Sequence, residues 1–235
     1  MESNNQYTQM QKEYYDRDSS FWTVENRDPV VGAFDAHNAW EGYNNLFVGI
    51  KDLQNKVCLD FGCGVGRNVS KYFETFKQID GVDLSQVNLD NARKWLDFHK
   101  QTYKPSNLIL CNGVDLSCIQ DEQYDIIMST ITLQHICVYA IRYNYLKEFY
   151  RVLKSGGIIT IQMGYGYSEH KVSVPYYENF YDAKTTNGYC DVRIEKPWQI
   201  KDDLSEIGFH SFSYLITDCV PGDTHKNAIY FRAVK

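Results

Sequence analysis

The chain has 235 residues, 24 Lys and Arg against 30 Asp and Glu, and a formal net charge of -6. That length suits one well-buried α/β domain with a modest appendage. The scattered cations form no basic stripe of the kind that tracks a phosphate backbone, so nucleic acid is not an expected partner.

The first residues, MESNNQYTQMQKEYYDRD, lack the basic and apolar regions of a signal peptide. No stretch approaches the ~18 apolar residues that span a bilayer, so a cytoplasmic protein without membrane contact is expected. Residues 1–50 read as an N-terminal helical lid, rich in aromatics over YYDRDSSFWTVENRD (14–28). The seven cysteines contain no C-x-x-C pair, which argues against structural zinc and thioredoxin-type chemistry and for free, buried thiols. No clustered Asp/Asp/Asn set suggests magnesium, and no metal is expected.

From residue 51 short apolar runs alternate with helical patterns. KVCLDFG (56–62) is nearly continuous apolar sequence, as in a strand covered on both faces, and VSKYFETFK then places Val69, Tyr72, Phe73 and Phe76 at helical spacing. QIDGVD (78–83), NLILCN (107–112), YDIIMST (124–130) and IITIQM (158–163) are further strands, the last set off by a Gly156-Gly157 break. Helices are expected at about 85–101 and 139–154. Strands separated by helices imply a parallel sheet, whose ligands collect beyond the strand carboxyl ends.

Between the first strand and its helix stands LDFGCGVGRN (59–68). A dinucleotide loop reads G-x-G-x-x-G and holds a pyrophosphate on backbone N–H groups. Here the third glycine comes one residue early, at Gly66, and a carboxylate, Asp60, precedes the loop. Such a charge disfavours an anion and favours a cation.

These residues, Asp60-Phe61-Gly62-Cys63-Gly64-Val65-Gly66, resemble the first motif of class I S-adenosylmethionine-dependent methyltransferases of the small-molecule type. NGVDLS (112–117), QYDIIMST (123–130) and EFYRVLKSGGIIT (148–160) extend the resemblance, which runs from about residue 40 to the C-terminus. It implies a Rossmann-like three-layer α/β sandwich with a seven-stranded, mostly parallel sheet in the order 3-2-1-4-5-7-6, the last strand antiparallel. It also implies S-adenosyl-L-methionine as cofactor, with Gly62, Cys63 and Gly64 against the methionyl part and Asp60 and Asn68 beside it. Asp83 would lie on the ribose, Leu84 on adenine, and Asn112, Gly113 and Val114 at the adenine edge. Ser129 would end the fourth strand near the cofactor, and Tyr15, Trp22 or Arg27 would reach the methionine carboxylate. Taken singly, Asp83 could cap a helix and Asn112-Gly113 could form a turn.

GFHSFSYLITD (208–218) and KNAIYFRAVK (226–235), joined by a loop with Pro221-Gly222, read as an antiparallel pair. The loop between them falls on the edge that carries the glycine turn. Methyl transfer to a neutral hydroxyl needs a proton acceptor, and histidine suits that task. His135, after the fourth strand, is the first candidate and His225 the second; His170 lies on another loop of that face, and proximity alone could suffice. Residues 164–197 form an insertion long enough for a cap. Its Tyr165, Tyr167 and Tyr181, with Gln134, are candidate substrate contacts.

The reading is a metal-independent methyltransferase acting on a small molecule, oxygen before nitrogen or carbon. Two alternatives stand beside it: an NAD-dependent oxidoreductase, and a non-catalytic cofactor-binding partner protein.

Overall fold

A computed structural model describes residues 2–18, 23–24, 41–169, 173–178, 190–219 and 223–235. Trp22, Arg27, His170, Tyr181 and Pro221-Gly222 lie outside the described residues.

The first four strands, β1 (Val57–Phe61), β2 (Gln78–Asp83), β3 (Leu108–Leu110) and β4 (Tyr124–Thr130), pair in parallel with β5 (Leu153–Tyr167) in the order β3-β2-β1-β4-β5. The helices α2 (Arg67–Lys71), α3 (Gln86–Phe98) and α4 (Tyr139–Val152) connect them. Strand β9 (His225–Val234) runs antiparallel to β5 and is flanked by β8 (His210–Asp218). The path β3-β2-β1-β4-β5-β9-β8 is the expected seven-stranded order. Two short strands, β6 (Val174–Pro175) and β7 (Val192–Ile194), raise the count to nine.

Strands β1 and β4 are buried almost throughout because apolar side chains face both layers. Leu59, Ile127, Ile159 and Phe149 share one core cluster; Cys58, Val69, Phe73, Ile126 and Met128 form another. The sheet therefore carries a core on each face.

Three local expectations change. The helix after the glycines ends at Lys71, because Tyr72 and Phe76 pack edge-on against Phe47, and the chain tightens into turns such as Thr75 N–H to the Tyr72 carbonyl at 3.0 Å. Gly156-Gly157 is not a break: Gly156, at φ 73°, sits inside β5 as an irregularity paired with Lys235. Strand β5 also runs on to Tyr167, so the long insertion starts after that residue and adds β6 and β7 to the sheet before α5 (Pro197–Ile207) begins.

That extension matters for the site. One edge of β5 is occupied by β9 along its length, so β7, pairing with Gly164 and Tyr165, takes the other edge just beyond the end of β4. The insertion thus lies against the carboxyl end of β4. The first helix, α1 (Glu2–Asp18), packs near α3 and buries Tyr7 and Gln11. No helix among the described residues is long and apolar enough to cross a membrane.

One buried carboxylate ties β2 to the starts of β3 and β4. Asp80 is fully buried and accepts from the Tyr124 hydroxyl at 2.9 Å, the Asn107 backbone N–H at 2.7 Å and the Gln78 amide at 2.9 Å. Asp80→Ala strands these donors and should cost about 3 kcal/mol, read as a lower urea midpoint with unchanged slope.

Candidate functional site

The turn after β1 is tied to the end of β2. The backbone N–H groups of Gly62 and Cys63 both donate to the Val82 carbonyl, at 2.8 and 3.1 Å. That of Gly64 donates to Asp83 Oδ2 at 2.9 Å. Gly62 sits at φ 70°, and a Cβ there would collide with the Thr132 side chain, so the position needs glycine on both counts. Asp83 Oδ1 accepts from Ser85 N–H at 2.9 Å and the Asn88 amide at 3.2 Å. Burial nonetheless pushes its carboxyl above the usual range. Ser85, not Asp83, is the N-cap of α3, its hydroxyl accepting from Asn88 N–H.

Beyond these strand ends lies a cavity of about 330 Å³. Its floor and sides come from Phe61, Asp83, Cys111 and Thr130, which mark the carboxyl ends of β1 to β4, together with Gly62–Val65. The switch in strand order falls between β1 and β4, where an open α/β sheet places its ligand. Gln11, Tyr14 and Tyr15 of α1 close the top. The β-branched Ile131 in the wall is held at φ 58°, its N–H bonded to Gln162 Oε1 at 3.0 Å. Strain of that kind, about 1–3 kcal/mol, persists where the surroundings over-determine the backbone.

Behind the glycine turn the polar groups are not self-sufficient. Asp60 is 1% exposed and neither carboxylate oxygen has a hydrogen bond; Asn68 Oδ1, also buried, has none, while its amide donates to the Thr130 hydroxyl at 2.9 Å. Burial pushes the Asp60 carboxyl up to about 7, against the opposing pull of the nearby Arg67 guanidinium and Asn68 amide. Arg67, Asn68 and Thr130 reach the cavity wall. Buried polar atoms left over in this way mark a place where a bound group completes the pairing. Asn68 and Arg67, which line the cavity, suit a ligand bearing an ammonium and a carboxylate, with the Asp60 carboxyl buried behind them.

At the opposite wall stands His135, at the end of a short 3-10 helix, Leu133–His135. Its Nδ1 lies 2.8 Å from the Cys190 carbonyl oxygen and 3.2 Å from Asp191 Oδ1. A carbonyl only accepts, so Nδ1 carries the hydrogen and Nε2 the lone pair of the neutral ring. The backbone of the same turn is gripped by α1: the Gln11 amide donates to the His135 carbonyl at 3.0 Å, and the Tyr7 hydroxyl accepts from Cys137 N–H at 2.8 Å.

Of the residues singled out from the sequence, the cavity brings together Tyr15, Gly62, Cys63, Gly64, Asn68, Asp83, Leu84, Gly113 and His135. Others stand elsewhere. Asp60 lies behind the loop. Asn112 is exposed and its oxygen accepts from Val114 N–H and Asp115 N–H, both at 2.9 Å, so its side chain makes a turn outside the cavity, while Val114 packs half-buried on the core. The Ser129 hydroxyl donates to the Phe61 carbonyl between β4 and β1. Gln134 accepts from Gly164 N–H at 2.8 Å and serves to pin β5. Tyr165 packs on the core, and Tyr167 is exposed beneath the Arg193 guanidinium. His225 is buried with its ring against Gly164, outside the cavity wall.

The sequence reading missed Gln11, Tyr14, Arg67, Thr132 and Asp191. A signal existed for the first two, since Tyr7, Gln11 and Tyr14 fall at spacings of four and three on one helix face. Arg67 stood at the position where the loop departs from the dinucleotide pattern. For Asp191, inside a long insertion, no local pattern pointed to His135.

A glycine turn clamped to the second strand, an acid at that strand's end and a cavity at the switch point define a Rossmann-like nucleoside-cofactor enzyme. Residues 59–161 match the family model described as a methyltransferase domain. The chain carries a methyltransferase domain of the S-adenosylmethionine-dependent class, with S-adenosylmethionine as its cofactor.

It is 23% identical over 220 residues to a carboxy-S-adenosyl-L-methionine synthase of Yersinia pestis, covering 89% of this chain and 76% of the relative. Among solved structures it is similar to phosphoethanolamine N-methyltransferase 2 of Haemonchus contortus, with a TM-score of 0.63 and 20% identity over 84% of this chain. It spans about half of that enzyme's length, 53%. It is also similar to a methyltransferase of Aquifex aeolicus, with a TM-score of 0.57 and 14% identity over 88% of this chain and 94% of the other. At these identities the structural matches establish the fold. The dinucleotide alternative finds no support in them.

The Asp60 shift has a stability consequence. Its folded value of about 7 stands above the ordinary Asp value of about 3.9. The folded state therefore holds the proton more tightly, and the stability this contributes is full below about pH 4 and lost as pH rises to about 7. Without ligand, Asp60→Asn should lose less stability than the wild type between pH 5 and 8, by paired urea titrations; equal losses would mean that Asp60 ionises normally.

Proposed function

We propose that this protein methylates a hydroxyl of a small molecule without a metal, His135 taking the acceptor's proton. The observation that carries the reading is the placement of His135: it lines the cavity across from the glycine turn, with its Nδ1 held by the Cys190 carbonyl, which puts the ring lone pair on Nε2.

The cofactor supplies an electrophilic methyl group on a sulfonium. In this reading the Asn68 oxygen accepts from its α-ammonium, the Asp60 carboxylate behind the loop supplies the counter-charge, and Arg67 meets its carboxylate. Asp83 accepts from the ribose hydroxyls while holding Gly64 N–H, and Leu84 and Gly113 border the base. Gln11, Tyr14 and Tyr15 exclude water over the reacting groups, which strengthens the electrostatics inside. Orientation of the acceptor contributes the remainder, since in-line displacement needs its atom about 3 Å from the methyl carbon. A hydroxyl is favoured because a neutral imidazole is suited to removing its proton as the bond forms.

Two outcomes test this. Incubating the enzyme with methyl-labelled cofactor and metabolite extracts should label a small molecule, whereas binding without turnover would favour the non-catalytic alternative. His135→Ala should then lower the rate by about 10²- to 10⁴-fold, with binding of S-adenosylhomocysteine nearly intact. A stable variant with full activity would remove His135 from the chemistry.

The Asp60 counter-charge adds a pH signature. The protonated carboxyl supplies none to an ammonium, so cofactor affinity should rise as pH increases through about 7. Asp60→Asn should flatten that rise in calorimetric titrations.

A further inference from the structure

The ring of His135 is addressed from the insertion by a carboxylate as well as a carbonyl. Asp191 is 9% exposed, and the strand β7 begins at the next residue, pairing with β5 at Gly164. Its carboxylate is thus placed by the sheet and not by a loop tip. Beyond it stands His225, whose side chain is 2% exposed, whose Nε2 has no hydrogen bond, and whose ring rests on Gly164. Burial pushes the His225 imidazole below its ordinary range, with Asp191 and Asp223 pulling the other way and His135 adding to the fall. The charge of Asp191 reaches His135 directly, its Oδ1 lying 3.2 Å from Nδ1.

We propose that Asp191 is the positioning residue of His135: it holds the Nδ1 side of the ring and supplies the counter-charge when Nε2 takes a proton. The inference rests on the reading of His135 as proton acceptor. In that step the acceptor's O–H bond breaks as its oxygen takes the methyl group, and the proton passes to Nε2. The resulting imidazolium keeps its Nδ1–H directed at the Cys190 carbonyl and the Asp191 carboxylate, and later returns the Nε2 proton to solvent. The carbonyl fixes the tautomer and the carboxylate stabilises the cation, the division of labour expected of a base and its orienting acid.

Among the described residues, the titratable or charged groups around this turn include Tyr7 of α1, Cys137 just before α4, Arg142 in α4, Cys190, and His225 of β9 with Asp223 just before it. Arg142 is spent on carbonyls, donating to Ile136 and Tyr176.

The test follows the Cε1–H resonance of His135 against pH in protein carrying labelled histidine, assigned with His135→Gln. Asp191→Asn should move the titration midpoint toward acid by about one pH unit, whereas Asp191→Glu, which keeps the carboxylate, should leave it within a few tenths. A merely structural role would move neither midpoint in a folded variant, and an unmoved midpoint in Asp191→Asn overturns the proposal.

If Asp191→Asn does not fold, nitrogen shifts of the wild type decide. Hydrogen on Nδ1 at neutral pH supports the arrangement, and an Nε2–H ring refutes it. Calorimetry with S-adenosylhomocysteine runs in parallel. Wild-type protein that fails to bind would sink the methyltransferase reading, while the midpoint comparison, made without ligand, still decides the role of Asp191.

Discussion

The carboxyl edge of this molecule depends on three hydrogen bonds that tie the turn after β1 to the last two residues of β2. Gly62 and Cys63 share the Val82 carbonyl, and Gly64 takes the Asp83 carboxylate. Because Asp83 also accepts from Ser85 and Asn88, one side chain sets the turn, the start of α3 and the acid that faces the cavity. A hydrogen-bonded charge in such a place is costly to disturb, since the donors it leaves behind at Ser85 and Asn88 are buried. The floor of the site is therefore rigid before any ligand arrives.

The walls are assembled differently. His135 is carried on a short turn whose backbone is held by Tyr7 and Gln11 from the N-terminal helix and whose ring is held by Cys190 and Asp191 from the far insertion. The two segments least connected to the sheet in sequence thus converge on one residue. The insertion is in turn fixed to α4 and α5: Arg142 donates to the Tyr176 carbonyl, and the Tyr139 and Tyr176 hydroxyls share Asp203 at 2.9 and 2.8 Å. Between floor and walls, the unpaired oxygens of Asp60 and the strained backbone of Ile131 oppose stability locally. Such conflicts concentrate where structure serves binding.

What could be read from the sequence was whatever short-range patterns encode. Continuous apolar runs gave the strands, because a sheet covered on both faces has no polar side to show, and the final pair was legible from its turn and alternation. The loop chemistry pointed to Asp60, Gly62, Gly64 and Asp83 as a set, yet not to the burial that lifts the Asp60 carboxyl, which depends on neighbours distant in sequence. Asn112 illustrates the limit: an Asn-Gly pair can offer its oxygen to a ligand or to its own backbone, and here Val114 and Asp115 take it. Gly156 looked like a terminator and is instead absorbed into β5 by the C-terminal Lys235, a partner 79 residues on. Asp191 was out of reach for the same reason, since only the β5–β7 pairing brings it to His135.

The claim on which the account turns is that this cavity takes a cationic nucleoside without a phosphate. Calorimetric titration of the wild-type protein with S-adenosylmethionine and, separately, with NADH at the same pH and salt measures it directly. Saturable binding of S-adenosylmethionine in the micromolar range, with no heat from NADH beyond dilution, is the predicted result. Binding of NADH with none of S-adenosylmethionine would contradict it.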